Sequence, residues 1–92
     1  MALNKKIAAQ LAEDRLVEWR HRRYDEWRAM IDESELRQVV AEDGKSYSVS
    51  SFALDDGDGR IRMCVAVDDA GWSSFAPLSR DEIINPDGTF VP

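Results

Sequence analysis

The sequence has few of the side chains on which familiar active sites depend. It contains one histidine, His21, and one cysteine, Cys64, and the two lie in different halves of the chain. A lone cysteine cannot form a disulfide within the chain and is compatible with a reducing compartment. No glycine-rich phosphate loop or nucleophile motif is present either. The sequence therefore predicts no catalytic residue, no cofactor and no metal ligand.

Long apolar runs are also missing from the chain. No stretch reaches the roughly 18–20 apolar residues needed to cross a bilayer, and residues 1–6 lack the apolar segment of a secretory signal. We therefore expect a cytoplasmic protein that makes no membrane contact. The 92 residues, of which 43% are apolar, suit a single domain, residues 1–92, with a small core.

The charge of the chain is predominantly negative and unevenly distributed. Twelve Lys and Arg residues stand against eighteen Asp and Glu residues, which gives a net charge of −6. Residues 1–31 carry seven basic and five acidic side chains, whereas residues 32–92 carry five and thirteen. Most of the surface therefore repels nucleic acid and favours a protein partner with a basic patch.

The first half of the chain has the composition of a helical segment. Proline and glycine are absent between Leu3 and Asp43, where residues with high helix propensity dominate, so we predict a helical part over residues 1–43. The main helix presents one apolar arc, which consists of Leu16, Trp19, Tyr24, Trp27, Met30 and Ile31. A capping signal near residue 32 predicts a second helix, residues 33–43, which ends at Gly44.

Three apolar residues near the N-terminus, Leu3, Ile7 and Leu11, lie nearly opposite that arc on one continuous helical wheel. A straight helix cannot bury both sets against the same sheet. Either the helix breaks near residues 12–15 and a frayed terminus wraps a little, or its first three turns face a protein partner or a second copy of the chain. The second alternative makes these three residues candidates for partner binding and for a homodimer through the N-terminal helix.

After Gly44 the apolar spacing changes to alternation, which predicts a β part over residues 44–92. The predicted strands are residues 46–54, 60–68, 72–76 and, in a short final piece, 89–91. Two competing apolar phases in the first strand predict a β-bulge near Ser50 and Ser51. Turns are expected at residues 55–59, 68–71 and 85–88, and one helical turn at residues 79–82.

These elements predict an α+β fold. A long N-terminal helix and a shorter helix pack on one face of a three- to four-stranded antiparallel β-meander. The helices then cover one side of the sheet, and the opposite side is the outward face.

Two features resemble functional motifs without fulfilling them. The segment Asp55–Gly59 has the acidic and glycine content of a calcium loop, but no register supplies both the central glycine and the final glutamate. We interpret it as a hairpin turn. His21 lies among arginines and outside the apolar arc, with no identifiable nucleophile, so we expect an exposed side chain without a catalytic role.

The outward face of the sheet is the strongest candidate for recognition. Arg60, Arg62 and Cys64 share it, and one of the two aromatics Trp72 and Phe75 should join them. A neighbouring cation would lower the pKa of the Cys64 thiol, although we expect a packing residue rather than a nucleophile. An exposed aromatic beside arginines is typical of an interface centre. The alternative is that the C-terminal segment, residues 77–92, folds over this face and buries the aromatic.

The segment of residues 15–28 is the candidate for nucleic-acid contact. Arg20, Arg22 and Arg23 could bind phosphate, and the interleaved aromatics could stack on bases. The aromatics also belong to the apolar arc, and nearby acidic residues cancel much of the local charge. These two facts favour a solvated helix face over a nucleic-acid site.

The sequence favours a small acidic protein-interaction module with no catalysis of its own, such as an inhibitor, an immunity-type protein or a subunit of a complex. The expected partner is another protein with a basic patch. One alternative is a regulatory accessory protein that contacts nucleic acid through residues 15–28. A second alternative is a small enzyme that uses a pair of carboxylates for acid–base work.

Overall fold

The computed structural model describes residues 4–69 and 77–92. Within these residues the elements, in chain order, are α1 (Lys5–Arg20), α2 (Tyr24–Ala29), β1 (Ser34–Val40), β2 (Ser46–Gly57), β3 (Arg60–Asp68) and β4 (Leu78–Ile84). The strands form one antiparallel sheet in the order β1-β2-β3-β4. Both helices pack on the same face of this sheet, against one buried core. The predicted α+β class is therefore confirmed.

Helix α1 lies across β3 and β4. It begins after Asn4, whose side chain accepts a hydrogen bond from the Ile7 amide at 3.2 Å. Ala8 and Ala12 are fully buried, and their small side chains allow the helix backbone to lie close to the sheet. Leu16 continues this buried stripe toward the C-terminal end of the helix. Burial of this stripe removes apolar surface from water and stabilises the helix against the strands.

Two tryptophans attach the helices to the sheet. The Trp19 indole N–H donates to the Ser51 hydroxyl at 3.2 Å, and the Trp27 indole N–H donates to the Trp19 carbonyl oxygen at 2.8 Å. Trp27 is completely buried, and its ring centroid lies 5.7 Å from that of Phe90. Each buried indole therefore has a hydrogen-bond partner, so burying its polar N–H carries little penalty.

The helical region breaks at a different place from the one predicted. Helix α1 is continuous through residues 12–15, and residues 21–23 separate it from α2. Because the helical phase restarts after this break, the apolar residues of the two helices need not share one wheel. Ile7 and Leu11 consequently pack, half-buried, against the core instead of lying opposite it. Leu3, the third residue of that set, lies outside the described residues.

The predicted second helix over residues 33–43 is wrong, because residues 34–40 form the edge strand β1, and the β part begins there rather than at residue 44. All seven residues of β1 pair with β2 in regular register. Alternation places Glu35 and Arg37 toward α1, where each binds a side chain of that helix, and leaves Leu36 on the other face. The apolar spacing that suggested a helix fits a strand equally well, so pairing with β2 decides the structure.

The set of β2 residues that face the core also differs from the prediction. Its register with β3 is regular through Ser50 and Ser51, and the irregularity lies instead between Asp55 and Gly57. The predicted β-bulge is therefore wrong. Ser51 is buried under α1, and Phe52 is on the opposite face.

The C-terminal segment is a strand where a helical turn was the expectation. Residues 79–82 belong to β4, and the predicted strand at residues 89–91 is reduced to an isolated bridge between Phe90 and Ile84. The predicted turn at residues 85–88 is confirmed by the Gly88 amide, which donates to the Asn85 carbonyl oxygen at 2.9 Å. The predicted turn at 68–71 extends beyond the described residues, and the predicted strand at 72–76 lies outside them entirely.

The hairpin between β1 and β2 contains a buried tyrosine that binds a carboxylate. Gly44, the predicted end of the second helix, has a φ of +79° and closes this hairpin. Tyr47 is fully buried, and its hydroxyl donates to an Asp43 carboxylate oxygen at 2.6 Å. This hydrogen bond, together with burial, raises the pKa of Tyr47 to about 12. The same bond is the main cause of the lowered pKa of Asp43.

The Tyr47–Asp43 bond predicts how stability depends on pH. Because the pKa of Tyr47 is raised from 10.0 to about 12, its contribution is complete below pH 10 and is lost as the pH rises toward 12. The pKa of Asp43 is lowered from 3.8, so its contribution is present above that pH and is lost as the pH falls through the lowered value. Urea unfolding of Tyr47→Phe should show weaker dependence on pH in both ranges. An identical pH profile for both proteins would contradict the assignment.

The turn between β2 and β3 offers a matched pair of glycines. Gly57 and Gly59 have φ angles of +86° and +78°, but a Cβ on Gly59 would lie 2.8 Å from Cγ of Pro86, whereas a Cβ on Gly57 meets nothing within 4 Å. Gly57→Ala should cost about 1 kcal/mol through its backbone conformation alone. Gly59→Ala should cost about 1 kcal/mol more, because the Pro86 ring must move. Urea unfolding measures both, and equal costs would contradict this packing.

Candidate functional site

The outward face of the sheet is the face that neither described helix covers. The strand register places alternate residues of each strand on it. Its side chains are Ser34, Leu36, Gln38 and Val40 of β1, Ser46, Ser48, Ser50, Phe52 and Leu54 of β2, Arg62, Cys64, Ala66 and Asp68 of β3, and Ser79, Asp81 and Ile83 of β4.

Exposed apolar side chains concentrate on the outward face. In the described part of the chain, large apolar residues on this face are 64% exposed at Leu36, 37% at Phe52 and 49% at Leu54. Val40, at the end of β1, is 71% exposed on the same face, whereas α1 contributes Val17 at 38%. Single exposed apolar side chains are common, but a group on one rigid surface marks an interaction site. We call Leu36, Phe52 and Leu54 the outer patch.

Charged side chains border the outer patch. Arg62 is the cross-strand neighbour of Leu54. Its Nε donates to Asp56 at 3.1 Å and a terminal nitrogen donates to Asp81. These two hydrogen bonds raise the pKa of the Arg62 guanidinium, so the group stays charged and held. Asp68 lies at the other end of β3, about 20 Å from Arg62 along the strand. The border therefore carries three carboxylates and one guanidinium at Arg62, and is net negative.

The environment of Cys64 corrects one expectation. Cys64 is half-buried on the outward face, and its cross-strand neighbours are Phe52 and Asp81. Burial, followed by the charge of Asp81, raises the pKa of the thiol, and the opposing effect of Arg62 is smaller. The predicted lowering of the pKa by a cation is therefore wrong, because burial and the charge of Asp81 together outweigh the effect of Arg62. The thiol stays protonated near neutral pH, which disfavours nucleophilic chemistry.

This arrangement predicts slow alkylation of Cys64 in the folded protein. The rate with iodoacetamide should rise with pH through a midpoint above the ordinary thiol pKa of 9.0. Asp81→Asn should move this midpoint to lower pH, because the change removes a negative charge and frees Arg62. Asp58→Asn, in the β2–β3 turn, makes the same charge change away from the thiol and should leave the midpoint in place. Identical midpoints in all three proteins would contradict the electrostatic explanation.

The structure places some of the predicted partner-binding residues together. Arg62 and Cys64 lie on the outward face, as the alternation indicates. Arg60 lies at the end of the sheet, where its Nε donates to the Asn85 side chain at 3.2 Å. The predicted aromatics Trp72 and Phe75 lie outside the described residues.

The C-terminal segment leaves the outward face uncovered. Residues 78–84 form β4, and Phe90 packs against Trp27 on the helix side of the sheet. The alternative in which residues 77–92 fold over the outward face is therefore wrong.

The position of the outer patch on the outward face was not predicted from the sequence. The signal was present in β2, where Tyr47 and Val49 set a phase that continues through two small residues, Ser51 and Ala53, all of them buried. Small residues that alternate toward the core are easily overlooked beside a larger apolar neighbour such as Phe52. Extending the alternation of Tyr47 and Val49 along the strand would have placed Phe52 on the outward face.

The arginines considered for nucleic-acid contact lie around an open groove of about 510 Å³ at the end of α1. Arg20 donates to Glu82 at 2.5 Å and to Glu13 at 2.8 Å, and Arg22 donates to Glu26 at 3.0 Å. Carboxylates therefore neutralise these two guanidiniums, and Arg23 has only longer ion pairs, of 3.6 and 3.7 Å. The nearby Trp19 and Trp27 are buried and cannot stack on a base.

A second groove, of about 220 Å³, lies between α1 and β1 and is lined by two carboxylates, Asp14 and Glu18. Burial disfavours ionisation of Glu18, but the hydrogen bond from Arg37 and the charge of Arg15 outweigh it and lower the pKa of the carboxyl. A carboxyl with a lowered pKa is a poor proton donor at neutral pH. Glu18 is held in ion pairs with Arg15 and Arg37, an arrangement that suits a structural role better than acid–base work.

Three further observations bear on the site. His21 is exposed at the end of α1, and its Nδ1 lies 2.7 Å from the Val17 carbonyl oxygen. In residues 4–69 and 77–92, no three His, Cys, Asp or Glu side chains cluster in a way that could hold a metal ion. Neither described helix is both long and apolar enough to span a bilayer.

Comparisons with protein-family models, with curated proteins and with solved structures found no match to this chain. The functional proposal below therefore rests on the residues of this chain.

Proposed function

We propose that the chain is a small acidic protein-interaction module that binds a protein partner through the outward face of its sheet and performs no catalytic step itself. One observation carries the proposal. The outer patch of Leu36, Phe52 and Leu54 is exposed on a face that neither described helix covers. Contiguous apolar surface of this kind marks sites that are buried on association.

The strands present the outer patch in a form suited to tight binding. Its side chains project from regular, hydrogen-bonded strands, so a partner need not order a flexible loop to bury them. Phe52 lies between β1 and β3, opposite Ser34 and Cys64, near the middle of the sheet. Central aromatic side chains with smaller neighbours are typical of the residues that contribute most to binding.

The charges around the patch indicate the chemistry of the partner. Asp68 and Asp81 lie on the outward face, Asp56 binds Arg62 of that face, and the whole chain has a net charge of −6. A partner with an apolar cleft and a basic border would be drawn toward this face and aligned on it. An inhibitor or immunity-type protein that masks a basic site has this design, and so has an acidic subunit of a complex.

Site-specific photo-crosslinking tests the proposal. A benzophenone amino acid replaces Phe52 in one protein and replaces Arg23, which is 80% exposed at the other side of the molecule, in the control. Irradiation in a lysate of the source cell should give a defined product for position 52, identified by mass spectrometry, that the control lacks. The same products at both positions, or none at position 52, would contradict the proposal.

The captured protein, once purified, allows a quantitative test with matched variants. Phe52 and Val17 are almost equally exposed, at 37% and 38%, but lie on opposite sides of the sheet. Phe52→Ala should weaken binding about tenfold to a hundredfold, and Val17→Ala less than about twofold. Titration calorimetry measures both, and added salt should slow association with the wild-type protein. Equal affinities for the two variants would exclude the outward face as the binding surface.

A further inference from the structure

The outer edge of the sheet at β1 has no strand partner among the described residues. In the strand order β1-β2-β3-β4, β1 pairs with β2 alone. Helix α1 lies over β3 and β4 and reaches β1 through ion pairs with Glu35 and Arg37, which leave the outer edge of that strand open. A free strand edge is a template for pairing with another chain unless some feature of the sequence blocks it.

The hydrogen-bonding groups of β1 can be assigned to the two sides of the strand. The Ala41 amide donates to the Lys45 carbonyl oxygen at 3.0 Å, just beyond the last pair of the ladder. Along an antiparallel ladder, residue pairs that are joined by backbone hydrogen bonds alternate with pairs that are not. Because Ala41 is hydrogen-bonded to its partner, the other odd-numbered residues of β1 are also hydrogen-bonded to β2. The backbone N–H and C=O groups of Ser34, Leu36 and Gln38 therefore point outward at the free edge.

Several features that commonly block a free edge are missing from β1: residues 34–40 contain no proline, glycine or lysine, and their register with β2 has no bulge. The two charged residues of the strand, Glu35 and Arg37, point toward α1, where Arg15 and Glu18 bind them. The side chain most suited to contact at the middle of the edge, Leu36, is apolar and 64% exposed.

The sequence of β1 is complementary to itself. We propose that two copies of this chain pair through their β1 edges, antiparallel and centred on Leu36, to form one continuous eight-stranded sheet. In this alignment Leu36 lies opposite Leu36 of the second copy, Glu35 opposite Arg37, and Ser34 opposite Gln38. Leu36 then meets an apolar side chain and Ser34 a polar one. Glu35 and Arg37, which also bind Arg15 and Glu18 of α1, meet a residue of opposite charge. Such pairs stabilise antiparallel strands.

Other alignments with the same face outward fit less well. Centring on Arg37 or on Glu35 places identical charges opposite each other, which is destabilising. Centring on Gln38 places Arg37 against the apolar Val39. The Leu36-centred alignment alone among these four pairs the charges of the edge with opposite charges.

The pairing goes beyond the partner binding proposed above and does not depend on it. It would place the outer patches of the two copies on one continuous surface. A homodimer through the N-terminal helix was the expectation from sequence, but the described part of that helix buries its apolar stripe in its own core.

Two lysine variants test the pairing by sedimentation velocity and light scattering on the purified full chain. Leu36→Lys places like charges opposite each other at the centre of the edge and should raise the dissociation constant of the dimer at least about tenfold. Val40→Lys, on the same strand but outside the paired residues, should leave the dimer intact. Both side chains are exposed, at 64% and 71%, and circular dichroism should show unchanged folding. A wild-type monomer at high micromolar concentration, or equal dimerisation of both variants, would overturn the proposal.

Disulfide formation tests the alignment in a Cys64→Ser background. Opposed residues in such a pair have Cα atoms about 5.5 Å apart, within the range of a disulfide, so Leu36→Cys should form a covalent dimer on mild oxidation. Positions 40 of the two copies would lie about 27 Å apart along the strands, so Val40→Cys should form the same dimer without a covalent crosslink. Equal crosslinking of the two would overturn the alignment. A monomer whose partner binding still depends on Phe52 would overturn the edge pairing and leave the proposed function intact.

Discussion

Two hydrogen-bonded tryptophans hold both helices on one face of the sheet. Trp19 binds Ser51 of β2, and Trp27 binds the backbone of Trp19, so each helix is fixed relative to the other and to the strands. The core consequently lies entirely between the helices and the sheet. The outward face receives no described helix, and its apolar side chains remain available to a partner.

A charged network complements this apolar packing at the edge of the sheet. Arg15 is buried, lies 4.8 Å from the centre of the Trp19 ring, and binds both Glu18 and Glu35. Arg37 of β1 binds Glu18 in turn at 3.1 Å. Helix α1 is thus joined to β1 by ion pairs and not by a wide apolar contact. These ion pairs hold the edge strand in place without covering its outer edge or its outward face.

The sequence determined the class of fold more clearly than the identity of each element. The alternation in Ile61, Met63, Val65 and Val67 predicts β3 correctly, because these side chains bury one face of a strand. The segment 34–40 could not be assigned from its own residues, since long-range pairing with β2 decides its structure. The outer patch was hidden for a related reason. Its position depends on which phase of β2 is buried, and Ser51 is buried because Trp19 binds it from a distant helix.

The helices pack on one face of the sheet, and the outer patch on the other face is exposed. Carbene footprinting of the free protein, analysed residue by residue by mass spectrometry, measures the exposure of both faces. The structure predicts strong labelling of Phe52 and Leu54, which lie away from the β1 edge, and protection of Trp19 and Trp27. Protection of Phe52 and Leu54, or labelling of the two tryptophans to a similar extent, would contradict this arrangement.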